Sequence, residues 1–335
     1  MKFLISSLFA ILYLAFVWGC KREATIVLPV VETYPPSGVT AVSAIAAGNV
    51  TASGGGNIFE RGFFWGETPD LRAEGEVFSA GSGVGEFQVL LEDLEKQNTY
   101  YVCAFAVNEK GMSTGEVISF TTTLFTYGDG VTDRDGNFYK TIILGDQEWM
   151  AENLVVSAYR NGDPIPNIAD GTEWDNISSG AFVYYENNYN TRGKYYGALY
   201  NWYAVSDERG LCPPGWRVPG EEDWDMLVSF LGGGTIAGGG MKSKRTFPDL
   251  HPRWNEPNEG ATNISGISGL PAGYRERHGT FQHLGIMSFW WSADEHGADG
   301  ALAHNMVLKY YSRGVFRLSS YKQRGCSIRC IKDPD

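Results

Sequence analysis

Apolar residues fall on both sides of the stretch Tyr100 to Val107. Tyr100, Val102, Ala104 and Ala106 share one side, and Tyr101, Cys103, Phe105 and Val107 the other, as the alternation of a strand requires. From residue 34 to 123, short apolar runs are separated by turn signals at Gly54-Gly55-Gly56, Thr68-Pro69-Asp70, Gly81 to Gly85 and Asn108 to Gly111. No helical period of useful length occurs there, and strands at this spacing predict an all-β sandwich. The pattern changes at Thr126-Tyr127-Gly128. Asp133 to Thr141 reads as a hairpin about an Asp-Gly turn. Leu211 to Leu231 predicts a turn through Pro213-Pro214-Gly215, an extended piece at Trp216-Arg217-Val218, and a helix set up by Pro219. Trp224, Leu227, Val228 and Leu231 give that helix one apolar face. Glu221, Glu222 and Asp223 fill its first turn, where the dipole favours acids. Gly232 to Gly234 end it. The two patterns predict two independently folding domains, 34–123 and 124–335.

The amino terminus carries a third pattern. Lys2 precedes an apolar run from Phe3 to Val17 that is too short for a comfortable membrane span. Composition adds little to this picture: 42 glycines and 14% aromatics suit turn-rich β structure with flat contact surfaces. The net charge of -12 argues against nucleic acid, whose phosphates need a basic field.

Three resemblances follow from particular residues. Val17-Trp18-Gly19-Cys20 resembles a bacterial lipobox, with Trp18 a departure from the usual small residue. It implies that 1–20 is a lipoprotein signal peptide and that Cys20 is lipidated. Two or more acyl chains anchor stably, and residues 21–33 would be a tether. Arg61-Gly62-Phe63, Leu94 with Asn98-Thr99-Tyr100, and Ile118-Ser119-Phe120-Thr121-Thr122 resemble a bacterial fibronectin type III domain with its tyrosine corner. Such domains act as spacers. With Tyr100 facing the core, Cys103 lies on the outer face as an unpaired thiol.

The third resemblance is the most extensive. Trp149-Met150-Ala151-Glu152-Asn153-Leu154, Tyr159 to Pro166, Tyr196 to Tyr203, Ala261-Thr262-Asn263 with Ser265-Gly266, Leu270 to Arg275, Trp290-Trp291-Ser292 and Ser327-Ile328-Arg329-Cys330 occur in order. This set resembles the Fibrobacter succinogenes major paralogous domain, from Thr132 to the end. The resemblance implies a C-type-lectin-like mixed α+β domain with long loops and no assigned catalytic activity. It also implies a surface location in the cell envelope, here the outer membrane, and pairing of Cys212 with Cys330. Cys326 stands where the family has another residue. On a strand, positions 326 and 330 lie roughly 13 Å apart, so a bridge between them would need a bend.

Candidate chemistry is sparse. Asp133-Arg134-Asp135-Gly136 invites a calcium loop, but Val131 and Ile142 occupy the first and twelfth ligand positions. Glu256 and Asn258, in Trp254-Asn255-Glu256-Pro257-Asn258, are the remaining calcium candidates by similarity to C-type lectins; the downstream Trp-Asn-Asp of such lectins is replaced at Trp290 to Asp294. The five histidines show no zinc spacing. Trp216-Arg217-Val218-Pro219 with Glu222 and Trp224 is similar to a segment of formylglycine-generating enzymes, in which a cysteine pair holds copper. Cys326 with Cys330 would be its counterpart. The preferred expectation is a non-catalytic domain binding a glycan or a surface protein, with Trp174, Tyr184, Tyr185 and Trp254 as stacking aromatics. A purely structural surface protein is the alternative. Trp290 and Trp291 read as core.

Overall fold

The computed structural model describes residues 25–297 and 300–334. The stretch 1–20, read as a signal peptide, and with it Cys20 lie outside the described residues. The first region has eight antiparallel strands: β1 (Val30–Ser37), β2 (Ala44–Ala52), β3 (Glu60–Gly66), β4 (Glu76–Ser79), β5 (Gly85–Leu91), β6 (Thr99–Asn108), β7 (Gly111–Thr114) and β8 (Ile118–Thr121). One sheet runs β1-β2-β5; the other runs β4-β3-β6, with β7 and β8 pairing opposite ends of β6. Their inner faces meet in a core that includes Ala46, Phe63, Phe87, Tyr100 and Val102. Tyr100 completes a corner: its hydroxyl accepts the Glu95 N–H at 2.9 Å.

Two details differ from the expectation. Pairing begins at Val30, within the stretch read as a tether, and Val27 N–H already bonds Gly54 O at 2.9 Å. Pro29, Pro35 and Pro36 disguised the strand, since proline suits an edge position with no neighbour to bond. Cys103 does lie opposite the Tyr100 face, yet it is buried with Phe64, Phe105 and Leu71. The short helix Leu71–Glu74 covers that patch.

The second region is also β-rich, with few and short helices. A five-stranded sheet orders Trp216–Arg217, Ile331–Lys332, Gln147–Met150, Thr141–Leu144 and Thr126–Tyr127. A three-stranded antiparallel sheet joins Met287–His296, Leu302–Lys309 and Val315–Tyr321. The expected helix forms as Glu221–Phe230, with Trp224 and Leu227 buried. Its acidic first turn has specific work: Asp223 accepts the Gly220 N–H at 2.7 Å and holds Arg217 at 2.8 Å. Trp149, Trp224 and Trp290 form a continuous ring cluster, with centroids 4.7 and 5.9 Å apart. The apolar clusters of the two regions share no residue. Between them, Ala41 N–H bonds Phe125 O at 2.9 Å.

Much of the second region is loop, and loop carbonyls need donors as much as strand carbonyls do. Three buried cations supply them. Lys242 donates to the carbonyls of Glu259, Lys309 and Ser312. Arg275 donates to those of Ile168, Ala169 and Gly279. Arg329 donates to those of Met150 and Ile267, and to Asn153 Oδ1. Burial lowers the pKa of Arg275 and of Arg329 to about 10, which leaves both charged near neutrality.

Candidate functional site

A cleft of about 590 Å³ opens where several stretches of the chain meet, within the size range of small-molecule sites. The hairpin around Asp133 builds one wall. Asp133 accepts the backbone N–H groups of Asp135 and Asn137, each at 2.9 Å, and the Tyr139 hydroxyl at 2.6 Å. Its carboxylate is thereby committed to the turn and raises the Tyr139 pKa, though burial does so more strongly. The turn leaves Phe138 64% exposed at the cleft rim. Tyr127, Tyr189 and Tyr195 are the other rim aromatics, at 55%, 45% and 47% exposure.

Charged groups stand among these rings. Lys140, Lys194, Arg245 and Glu152 line the cleft, so cations outnumber anions there despite the acidic chain. The Glu152 side chain is open to the cleft yet crowded by protein. That desolvation raises its pKa, opposed by the Arg329 charge and by the Lys140 N–H that bonds Oε2 at 3.0 Å. Asn153 forms part of the lining, held by Trp290 Nε1 and Arg329, each at 2.8 Å. A smaller pocket of about 280 Å³ shares Tyr127, Phe138 and Lys140, which lengthens the concave surface.

The stacking aromatics expected from the sequence are placed differently. Trp174 and Trp254 are fully buried, and Tyr185 is 7% exposed. Trp174 Nε1 donates to Gln323 O at 2.6 Å and Trp254 Nε1 to Gly269 O at 2.9 Å, so both fasten loops from inside. Tyr185 packs on Phe281. None of the three offers a ring to a ligand. Tyr184 is half-buried behind the cleft wall, its ring 5.0 Å from that of Tyr189. Trp290 and Trp291 are core, as expected.

The calcium pair is not assembled either. Asn258 is buried and its amide donates to Ser243 O at 2.9 Å, whereas Glu256 stays exposed. Asp294, the acid downstream, instead accepts the Glu221 N–H at the helix start at 2.6 Å. The copper analogy fails on the cysteines. Cys212 and Cys330 form a disulfide with Cα atoms 6.0 Å apart, as the resemblance implied. Cys326 remains a buried thiol whose pKa burial pushes up, away from the thiolate that metals need.

The Trp149–Leu154 and Ser327–Cys330 stretches thus meet at the cleft floor through Asn153 and Arg329. A model of the Fibrobacter succinogenes major domain matches residues 142–332. The chain belongs to this family. Within the Fibrobacter succinogenes major domain lie Glu152, the Tyr189–Tyr195 wall and Arg245, while Tyr127, Phe138 and Lys140 precede the matched span. No curated protein matches the chain. Among solved structures, the sensor domain of the anti-sigma factor RsgI4 from Pseudobacteroides cellulosolvens is similar at 20% identity. That match covers 29% of this chain and 97% of its own, with a TM-score of 0.24. Vertebrate Astrotactin-2, a perforin-like membrane protein, is similar at 16% identity over 29% of this chain and 22% of its own, with a TM-score of 0.23. Likenesses this slight carry no functional information.

Proposed function

We propose that the protein is a lipid-anchored surface module of the cell envelope whose cleft binds an oligosaccharide without altering it. The observation that carries this is the cleft rimmed by Tyr127, Phe138, Tyr189 and Tyr195 and lined also by Lys140, Lys194, Arg245 and Glu152. Exposed aromatic faces suit the apolar faces of sugar rings, and the surplus of cations suits sugars bearing carboxylates. Among the described residues, Glu152 is the single carboxylate on the lining, whereas glycoside hydrolysis ordinarily employs two; this favours binding over cleavage. In this reading the first region is a fibronectin type III-like spacer, and the second a C-type-lectin-like domain.

Glycan-array and calorimetric measurements, each with and without calcium, test the cleft. Uronate-containing oligosaccharides are expected to bind the wild type. Tyr195→Ala and Lys194→Ala should each weaken binding about tenfold, equivalent to about 1.4 kcal/mol, at unchanged melting temperature because both side chains are exposed. An array with no hit, or variants that bind as well as wild type, would sink the cleft assignment and favour a structural surface role. The anchor has its own test. Cells fed a labelled fatty acid should label the wild type at Cys20 and leave Cys20→Ala unlabelled; equal label in both would exclude the lipobox reading.

A further inference from the structure

The strands Met287–His296 and Leu302–Lys309 pair with an irregularity between Trp291 and Glu295. Beside it, His296 Nδ1 and His304 Nε2 are hydrogen-bonded to each other at 3.1 Å, although the two residues are eight apart in sequence. Their rings are 4.5 Å apart between centroids and nearly perpendicular, at 88°. The other His304 nitrogen, Nδ1, faces a Glu221 carboxylate oxygen at 3.5 Å. Glu221 is itself held in place, its N–H bonded to Asp294 and its carboxylate 3.9 Å from Arg317. Arg317 is further neutralised by Asp225, and the nearby Lys322 by Glu295.

We propose that His296 and His304 chelate one divalent transition-metal ion, Cu2+ or Zn2+, with Glu221 as the positioning residue behind His304. Metal–nitrogen bonds of about 2.0–2.1 Å hold two ligand nitrogens about 2.9 Å apart at a right angle and about 3.3 Å apart at a tetrahedral angle. The observed 3.1 Å falls between these values. With Nδ1–H turned toward Glu221, neutral His304 presents the lone pair of Nε2 toward His296. A carboxylate behind a ligating histidine fixes its tautomer in this way and strengthens the ligand. Imidazole nitrogens select copper, zinc and their neighbours, whereas calcium and magnesium need oxygen donors. Among the described residues no group of three or more histidines, cysteines or acids forms a metal cluster. The site is therefore a two-histidine chelate, and its remaining positions are open to water or to a donor on a bound molecule. His296 is exposed and the His304 side chain is 21% exposed, so an ion can enter directly.

The experiment titrates the chelator-stripped full chain with CuCl2 and ZnCl2 by calorimetry, and records the electron paramagnetic resonance of the chain with one equivalent of Cu2+. One saturable site is expected, tighter for Cu2+ than for Zn2+ and indifferent to excess Ca2+ or Mg2+. The Cu2+ spectrum should show coupling to two nitrogens. His296→Gln and His304→Gln should each abolish the saturable site. Glu221→Gln should weaken it about tenfold while keeping the two-nitrogen spectrum. All three variants are expected to melt like the wild type, because the replaced groups are at the surface. A wild type without saturable binding, or a site that survives in the double histidine variant, overturns the proposal. Undiminished affinity in Glu221→Gln overturns the role given to Glu221.

Discussion

Cys212→Ser is expected to lower the unfolding free energy by about 2–5 kcal/mol. Cys212 and Cys330 are 118 residues apart, and in the chain-entropy account so long a closed loop is worth on the order of 4–5 kcal/mol. The bond also joins the entrance of the Trp216–Arg217 strand to the residue before Ile331–Lys332, and those two strands pair directly. Opening it loosens the carboxyl-terminal strand, which lies between Trp216–Arg217 and Gln147–Met150 in the five-stranded sheet. Cys326→Ala is the control: it removes a buried sulfur but opens no loop, so its cost should be clearly smaller. Urea unfolding of both variants beside the wild type decides the matter. Equal losses in the two would show that local packing around the cysteines, rather than the cross-link, carries the stability.

Arg329→Met is expected to cost about 3 kcal/mol. The guanidinium is fully enclosed and satisfies Met150 O, Ile267 O and Asn153 Oδ1. Methionine fills similar space but leaves these acceptors without their donor, and each buried orphan costs about 1–3 kcal/mol. Relief from burying a charge offsets part of that. Arg329→Lys should fall between, since one ammonium cannot span the same three acceptors with a planar fork. The variant should also weaken ligand binding in the cleft, because Asn153 on its lining would lose a partner. Chemical unfolding with parallel calorimetry checks both effects. A loss below about 0.5 kcal/mol, the scale of ordinary surface substitutions, would mean that water replaces the guanidinium.

Patterns set by neighbours along the chain were legible without the structure. The alternation of Tyr100 to Val107, the apolar stripe from Trp224 to Leu231 and the Asp-Gly turn after Asp133 each specify an element through local geometry. Each element formed where that geometry put it. The ordered motifs likewise carried the family and, through it, the Cys212–Cys330 pairing. The cleft was a different matter. A tryptophan in a loop looks the same in sequence whether it faces solvent or fastens the loop from inside. Trp174 and Trp254 went inward because carbonyls of Gln323 and Gly269, far along the chain or across a turn, needed their N–H groups. The rings left exposed at the cleft were Tyr127, Phe138, Tyr189 and Tyr195, around a space that exists only after the loops have packed. His296 and His304 had no metal-ligand spacing to betray them, since their approach depends on the register of two paired strands and a bulge between them. Local periodicity therefore determined the elements, and the ordered motifs the family. Which side chains would share one surface was decided by contacts between separate segments, some as distant as Asn153 and Arg329.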